Sequence, residues 1–158
     1  MDIIPQSGTF VRLLNLDHLK QALFIREAVE QETFYEIITN VIKMKKNLER
    51  QKKIFELSND FSRFFQANDE FHICQLEAIG KKEAMSMLKD AHMHTQRWRK
   101  IGFDMINQID SQIADHEAIL KAIETEDWRM GRDAIHKHIS FLIQFSEKIM
   151  AKYPKYFA

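Results

Sequence analysis

Polar side chains stand at positions where hydrophobic periodicity calls for core. In the stretch ANDEFHICQL, Asn68 and His72 lie four residues apart. On a helix, positions 61, 65, 68, 72, 76 and 79 share one face. Phe61, Phe65, Leu76 and Ile79 make that face apolar, so an amide and an imidazole point into hydrocarbon. His116 lies in line with Ile109, Ile113, Leu120 and Ile123, and His138 with Ile135, Phe141, Leu142 and Phe145. Neutral imidazole is the commonest metal-binding side chain, and an i, i+4 pair offers two ligands from one helix face. Ligands gathered from facing helices are how bundles build metal sites. The competing reading of any one of these histidines is a hydrogen-bonded core residue with no ion. The other four carry less. His92 and His94 alternate on a face expected to be exposed, His136 sits off the stripe of His138, and His18 falls near a helix start.

Cationic groups accompany the imidazoles. Arg26 lies on the inward stripe of its helix with Glu30 one turn later. That pair reads either as an intrahelical ion pair or as an arginine lining a pocket, where its planar fork holds a carboxylate by two hydrogen bonds. Arg97 and Arg99 flank Trp98; one of them is expected to enter a pocket and at least one to be solvated.

The elements that position these groups follow from composition. Of 158 residues, 45% are hydrophobic and 29% charged, ordinary for a globular chain with one real core. Lys plus Arg and Asp plus Glu both number 23, so no charge excess advertises nucleic acid or an anionic membrane. No apolar run reaches the length that spans a bilayer. The start MDIIPQSGTF lacks the basic and apolar regions of a signal peptide, and Cys74 is the single cysteine. A cytoplasmic protein is expected, with Cys74 a small core residue. Pro5 and Pro154 are the only prolines and glycines number four, which predicts a nearly all-helical chain. Caps and glycines divide it into helices near 17–31, 33–44, 46–57, from a cap within 58–60 to 80, 82–100, 104–124 and 127–152. Asp127 is the expected N-cap of the last, and Gly131 inside it signals close packing. Residues 1–14 instead alternate β-formers around Pro-Gln-Ser-Gly and read as part of a hairpin.

Together these stretches resemble the GntR transcription regulators of the FadR subfamily, and within them the all-helical C-terminal effector-binding domain called FCD. FIREAVE is similar to the family's R-x-x-x-E motif and places Arg26 and Glu30. NDEFH is similar to D-x-x-F-H and places Asn68 and His72. DHEAILKAIETEDWRMGRDAIHKH is similar to E-H-x-x-I-x-x-A-I followed by Asp and a final His, placing His116, Asp127 and His138. QRWRK resembles the family's Arg-rich fifth helix, and IIPQSGTFV the end of the wing in its winged helix-turn-helix.

The resemblance implies an all-α antiparallel bundle of about seven helices around a central cavity, over residues 15–158. Residues 1–14 would be a remnant of the wing. It implies a divalent transition metal, Zn²⁺ or Ni²⁺, held by His72, His116, His138 and the residue at position 68. The family carries a carboxylate there and this chain has Asn68. A neutral amide is a weaker ligand, so metal affinity is expected to fall. Asp69 points about 100° away on a helix and does not substitute. The resemblance further implies a small organic acid as effector, met by Arg26, Arg97 and Arg99, and no enzymatic activity. The DNA-reading helices are expected to lie outside this chain, so no duplex binding is expected from it alone. A homodimer is expected, with Phe10, Leu13 and Leu14 as exposed apolar residues. Two other readings stay open at this stage: a ligand-free dimerising helical protein, and a small helical metalloenzyme using the histidines to activate water.

Overall fold

Helix dominates, as the scarcity of proline and glycine dictates. The computed structural model describes residues 2–4, 8–34, 36–37, 41–58, 60–81, 83–102, 105 and 109–158. Two short strands, β1 (Asp2–Ile4) and β2 (Gly8–Phe10), pair antiparallel with Asp2 opposite Phe10. The residues of the expected turn between them, 5–7, lie outside the described ones. Then come α1 (Leu16–Phe34), α2 (Ile42–Ser58), α3 (Phe61–Ala78), the single turn α4 (Ala84–Met87), α5 (Lys89–Ile101), α6 (Ile109–Glu124) and α7 (Trp128–Lys152). A 3-10 turn, Pro154–Tyr156, follows.

Local chemistry explains the boundaries. Asp60 caps α3 by accepting from the Arg63 amide at 3.1 Å, and Asp127 caps α7 by accepting from the Met130 amide at 3.0 Å. Gly80 ends the α3 region with a positive φ of 71° that a side chain disfavours. Two expected boundaries are corrected. No separate helix covers 33–44: residues 33–34 finish α1, 36–37 and 41 are turn or 3-10, and 42–44 open α2. Ile37, Val41 and Ile42 are β-branched, which weakens helix between the two longer elements. The expected helix 82–100 breaks at Leu88 into α4 and α5. The expected start of the sixth helix at 104 lies outside the described residues; α6 is seen from Ile109. Among the described residues, then, six helices run longer than three turns and α4 is a seventh of one turn.

Helix α2 packs on α3, α6 on α7, α1 on both α5 and α7, and α2 on α6. The core between them holds Leu19, Leu23, Phe64, Phe71, Trp98, Ile119, Ile135 and Leu142. No helix of the described residues is long and apolar enough to cross a membrane. The residues just before α1 meet those after α7: Leu14 bridges Phe157, its amide donating to the Tyr156 carbonyl at 2.8 Å, while Phe157 packs on Trp98 with ring centroids 4.6 Å apart. Leu14 is therefore fully buried, correcting its expected exposure, whereas Leu13 and Val11 are exposed.

Gly131 shows why α7 approaches α1 so closely. A Cβ built there runs into the buried ring of Phe34, which also packs against Trp128. The buried ring or the helices must shift to relieve the clash. Gly131→Ala is expected to lower stability by about 1–3 kcal/mol. Urea unfolding of the variant measures this; an unchanged midpoint would show that the α1–α7 contact yields freely.

Candidate metal centre

All six long helices send a polar group to one buried point. His72 comes from α3, His116 from α6 and His138 from α7, and their rings are 4%, 0% and 2% exposed. The Nε2 atom of His138 lies 3.1 Å from that of His72 and 3.3 Å from that of His116. Phe71 stacks on His116 at a centroid distance of 4.1 Å and fixes its plane. Among the described residues this is the one histidine, cysteine and carboxylate grouping whose donor atoms converge as an ion requires.

The opposite ring nitrogens decide the proton positions. His72 Nδ1 lies 2.8 Å from Glu30 Oε2 on α1. Burial alone would raise the Glu30 carboxyl, but His72 and Arg26 overcome it and hold the group well below the carboxylate range. Glu30 is thus an acceptor, and His72 carries its proton on Nδ1. His116 Nδ1 lies 2.9 Å from Gln51 Oε1 on α2. The Gln51 amide nitrogen donates to Asn47 Oδ1 at 2.7 Å and to the Ala67 carbonyl at 3.4 Å, which identifies Oε1 as the atom facing the ring. His138 Nδ1 faces Asp115 Oδ2 at 3.8 Å, beyond hydrogen-bond range, and no nearer acceptor meets it. His72 and His116 therefore each have an acceptor behind Nδ1, and their Nε2 lone pairs face the common centre.

That donor set fits a metal ion. A proton on His138 Nε2 would join it to His72 Nε2 at 3.1 Å or to His116 Nε2 at 3.3 Å; a cation in that proton's place would be ligated by all three nitrogens. Nitrogens about 2.1 Å from a shared ion stand about 3.0 Å apart at right angles and about 3.4 Å apart at the tetrahedral angle. An oxygen hydrogen-bonded to the far nitrogen, as His72 and His116 have, is the arrangement that orients metal-bound histidine. The three rings are also held neutral. Burial pushes His72 down to about 3, with Arg26 adding to burial and Glu30 opposing it. His116 lies well below its ordinary value through burial and its two histidine neighbours, and His138 is lowered mainly by burial.

Asn68 reaches the cluster, but with its nitrogen. Arg99 Nη1 donates to Asn68 Oδ1 at 3.1 Å, which fixes the amide's orientation and leaves Nδ2 facing His116 Nε2 at 3.3 Å. The expected oxygen ligand is thus turned to the arginine. Asp69, beside it, engages Arg99 at 3.4 Å, lies 3.5 Å from His92 Nε2 and accepts from Gln96 Nε2. Burial and the Arg26 charge lower Arg99 to about 10, with Asp69 opposing.

Of the expected effector residues, Arg26 and Arg99 adjoin the cluster and Arg97 does not. Arg26 Nε donates to Glu30 Oε1 at 2.7 Å while its Nη2 is buried with no hydrogen-bond partner. Arg97 is corrected: its Nη2 donates to the Arg12 carbonyl near the surface, because the residues flanking Trp98 face away from each other around α5. His92 is half-buried, His94 packs edge-on to His18, and exposed His136 pairs with Glu27 at 2.8 Å. Gln51 and Asp115 are absent from the sequence expectations; Gln51 anchors His116 and Asp115 stands behind His138 at 3.8 Å. Gln51 sits in the charged stretch 45–53, which gives no inward signal, and Asp115 was overshadowed by His116 beside it.

The expected central chamber is subdivided. One cavity of about 20 Å³ lies against Arg26, Glu30, Asp69 and His72. Another of about 20 Å³ lies against Phe65, Arg99, Gln112 and His138. Each is the size of a water site. A surface groove of about 730 Å³ shares Asp69 with the first and Phe61 and Phe65 with the second.

Comparison with known proteins agrees with this architecture. A family model described as the FCD domain matches residues 21–141. An uncharacterised HTH-type transcriptional regulator in an unstable DNA locus of Streptomyces ambofaciens is 26% identical, over all of this chain and 68% of its own length. The HTH-type transcriptional repressor RspR of Escherichia coli K12 is 20% identical, over all of this chain and 71% of its own length.

Proposed function

The chain belongs to the FCD domain family, and from that premise we propose that it is the metal-containing sensor domain of a GntR/FadR-type transcription regulator, binding a small organic carboxylate. The convergence of three Nε2 atoms beside a buried arginine nitrogen without a partner carries this reading. His72, His116 and His138 would hold the ion, with Zn²⁺ or Ni²⁺ suited to nitrogen ligands. The ion supplies a Lewis-acidic position for a carboxylate oxygen. Glu30 and Gln51 orient His72 and His116. Arg26 Nη2 offers a buried donor on the same side as His72, and Arg99 a second charge across Asn68. The acid enters by widening the two small cavities toward the groove bordered by Phe61, Phe65 and Asp69. The paired strands β1 and β2 are read as the end of a wing, and the expected homodimer stands as part of the same proposal.

A thermal-shift screen of mono-, di- and tricarboxylates, with and without chelator, tests the reading. An acid is expected to raise the melting temperature only with metal present. Arg26→Ala should reduce that gain about tenfold or more in affinity while metal alone still stabilises, because a guanidinium is not a ligand. A shift that survives both complete metal removal and Arg26→Ala would sink the proposal.

A further inference from the structure

We infer that the acid this site accepts is a monocarboxylate with a compact apolar body, a branched alkyl or aryl group, rather than a diacid or a polyhydroxylated acid. The inference rests on the metal-and-acid reading above and names the ligand class within it. The two small cavities flank the histidines and differ in chemistry. His72 borders the first and His138 the second. Their Nε2 atoms lie 3.1 Å apart, so an ion held by both sits between the cavities. Arg26 borders the first, and its Nη2 is buried with no hydrogen-bond partner among the described residues. That is a place for one carboxylate, shared between guanidinium and ion.

The second cavity is walled by Phe61, Phe64, Phe65, Ile139, Phe141 and Leu142. Its polar residues are largely committed. Thr95 returns its hydroxyl to the Ala91 carbonyl at 2.9 Å, Arg99 donates to Asn68 and pairs with Asp69, and His138 turns Nε2 to the cluster. Gln112 adds a single amide. A body with several hydroxyls or a second carboxylate would exchange water for aromatic walls with most of its hydrogen bonds unmade, which is unfavourable. Methyl or aryl carbon gains by the same transfer. Charge points the same way. The charged side chains buried around the histidines are Arg26 and Arg99 against Glu30, Asp69 and Asp115, a sum of −1, because the Lys137 that reaches Asp115 is exposed. Metal-binding histidines are neutral ligands, so a divalent ion makes the total +1. One carboxylate neutralises it, and a second would leave a buried charge without a counter-charge.

Calorimetric titration of the Zn²⁺-loaded chain at pH 7.5 with two shape-matched pairs of acids tests this. In the first pair, 4-methylpentanoate carries an isopropyl group where succinate has its second carboxylate. In the second, 3,5-dimethylbenzoate carries methyls where 3,5-dihydroxybenzoate has hydroxyls. The apolar member of each pair is expected to bind at least about tenfold tighter, the scale on which an apolar pocket rejects a hydroxylated isostere. Its methyl protons should also show nuclear Overhauser contacts to the rings of Phe65 and Phe141, which are half-buried in the wall. Phe65→Leu and Phe141→Leu assign those contacts, since each removes one ring and keeps the wall apolar. A polar member that binds as tightly as its apolar partner in either pair overturns the inference and leaves the sensor reading standing. So do apolar acids that bind without contact to either ring. If none of the four acids binds the loaded chain, both fall together.

Discussion

Zn²⁺ or Ni²⁺ added to the metal-free chain is expected to raise its melting temperature by about 5–10 °C at a hundredfold excess over Kd, and His116→Ala to abolish the gain. A ligand that binds only the folded state stabilises by about 2.7 kcal/mol at that excess. For a chain of this size each kcal/mol moves the midpoint by about 2–4 °C. His116 is the sharpest probe because it is fully buried, stacked on Phe71 and within 3.3 Å of both His138 Nε2 and Asn68 Nδ2. His72→Ala and His138→Ala should behave similarly, since each removes one of three converging donors. His136→Ala is the control: that ring is exposed and pairs with Glu27 on the far side of α7, so its loss should leave the metal response intact. Mg²⁺ should do little, because it demands oxygen ligands and the Asn68 oxygen is turned to Arg99. Differential scanning fluorimetry across this set is decisive. A full metal response retained in all three alanine variants would rule the histidine site out.

Acid should unfold the metal-free chain more readily than its net charge suggests. Stability is expected to drop by about 3–4 kcal/mol between pH 7.5 and 5.5. His72, His116 and His138 are all lowered in the folded state, chiefly by burial. Their unfolded value is near 6.5. Below that pH the unfolded chain takes up protons that the folded chain refuses. The contribution is therefore complete above about 6.5 and is lost as pH falls from there toward the folded values. A group held well below this interval is worth about 1.4 kcal/mol over it; His72 and His116 are held so, and His138 adds a part. The lowered carboxyls of Glu30, Asp69 and Asp115 act in the same sense but only at more acid pH, below their ordinary range. Urea midpoints at the two pH values measure the drop, and His116→Gln should reduce it by about 1.4 kcal/mol. Equal stability at both values would mean that the rings are not held neutral by the core. Bound metal should deepen the dependence, since protons and metal compete for the same nitrogens.

The amino-acid sequence by itself determined the helical class, the inward stripes and the three histidines. Two prolines and four glycines leave little but helix, and a period of 3.6 residues places 72, 116 and 138 among core positions wherever the helices end. Asp60 and Asp127 announced their caps because capping is a local hydrogen bond three residues long. The Arg26–Glu30 pair was legible for the same reason, being one turn apart on one helix.

Only the tertiary structure decided what requires two or more helices at once. Gln51 and Glu30 stand behind rings that are 65 and 42 residues away, and no periodicity links positions so far apart. The Asn68 amide can present either end. The Arg99 guanidinium, arriving from α5, chose the oxygen and left the nitrogen for His116. Arg97 and Arg99 were indistinguishable until the packing of α5 on α1 turned one to the interior and the other to the Arg12 carbonyl. The cavity divided because side-chain volumes from several helices add up only in three dimensions. Residues 36–37 and 41 depart from the expected helix because β-branched positions are decided by the elements on either side of them. Periodicity is a property of one segment, whereas partners, orientation and free volume belong to the packed bundle.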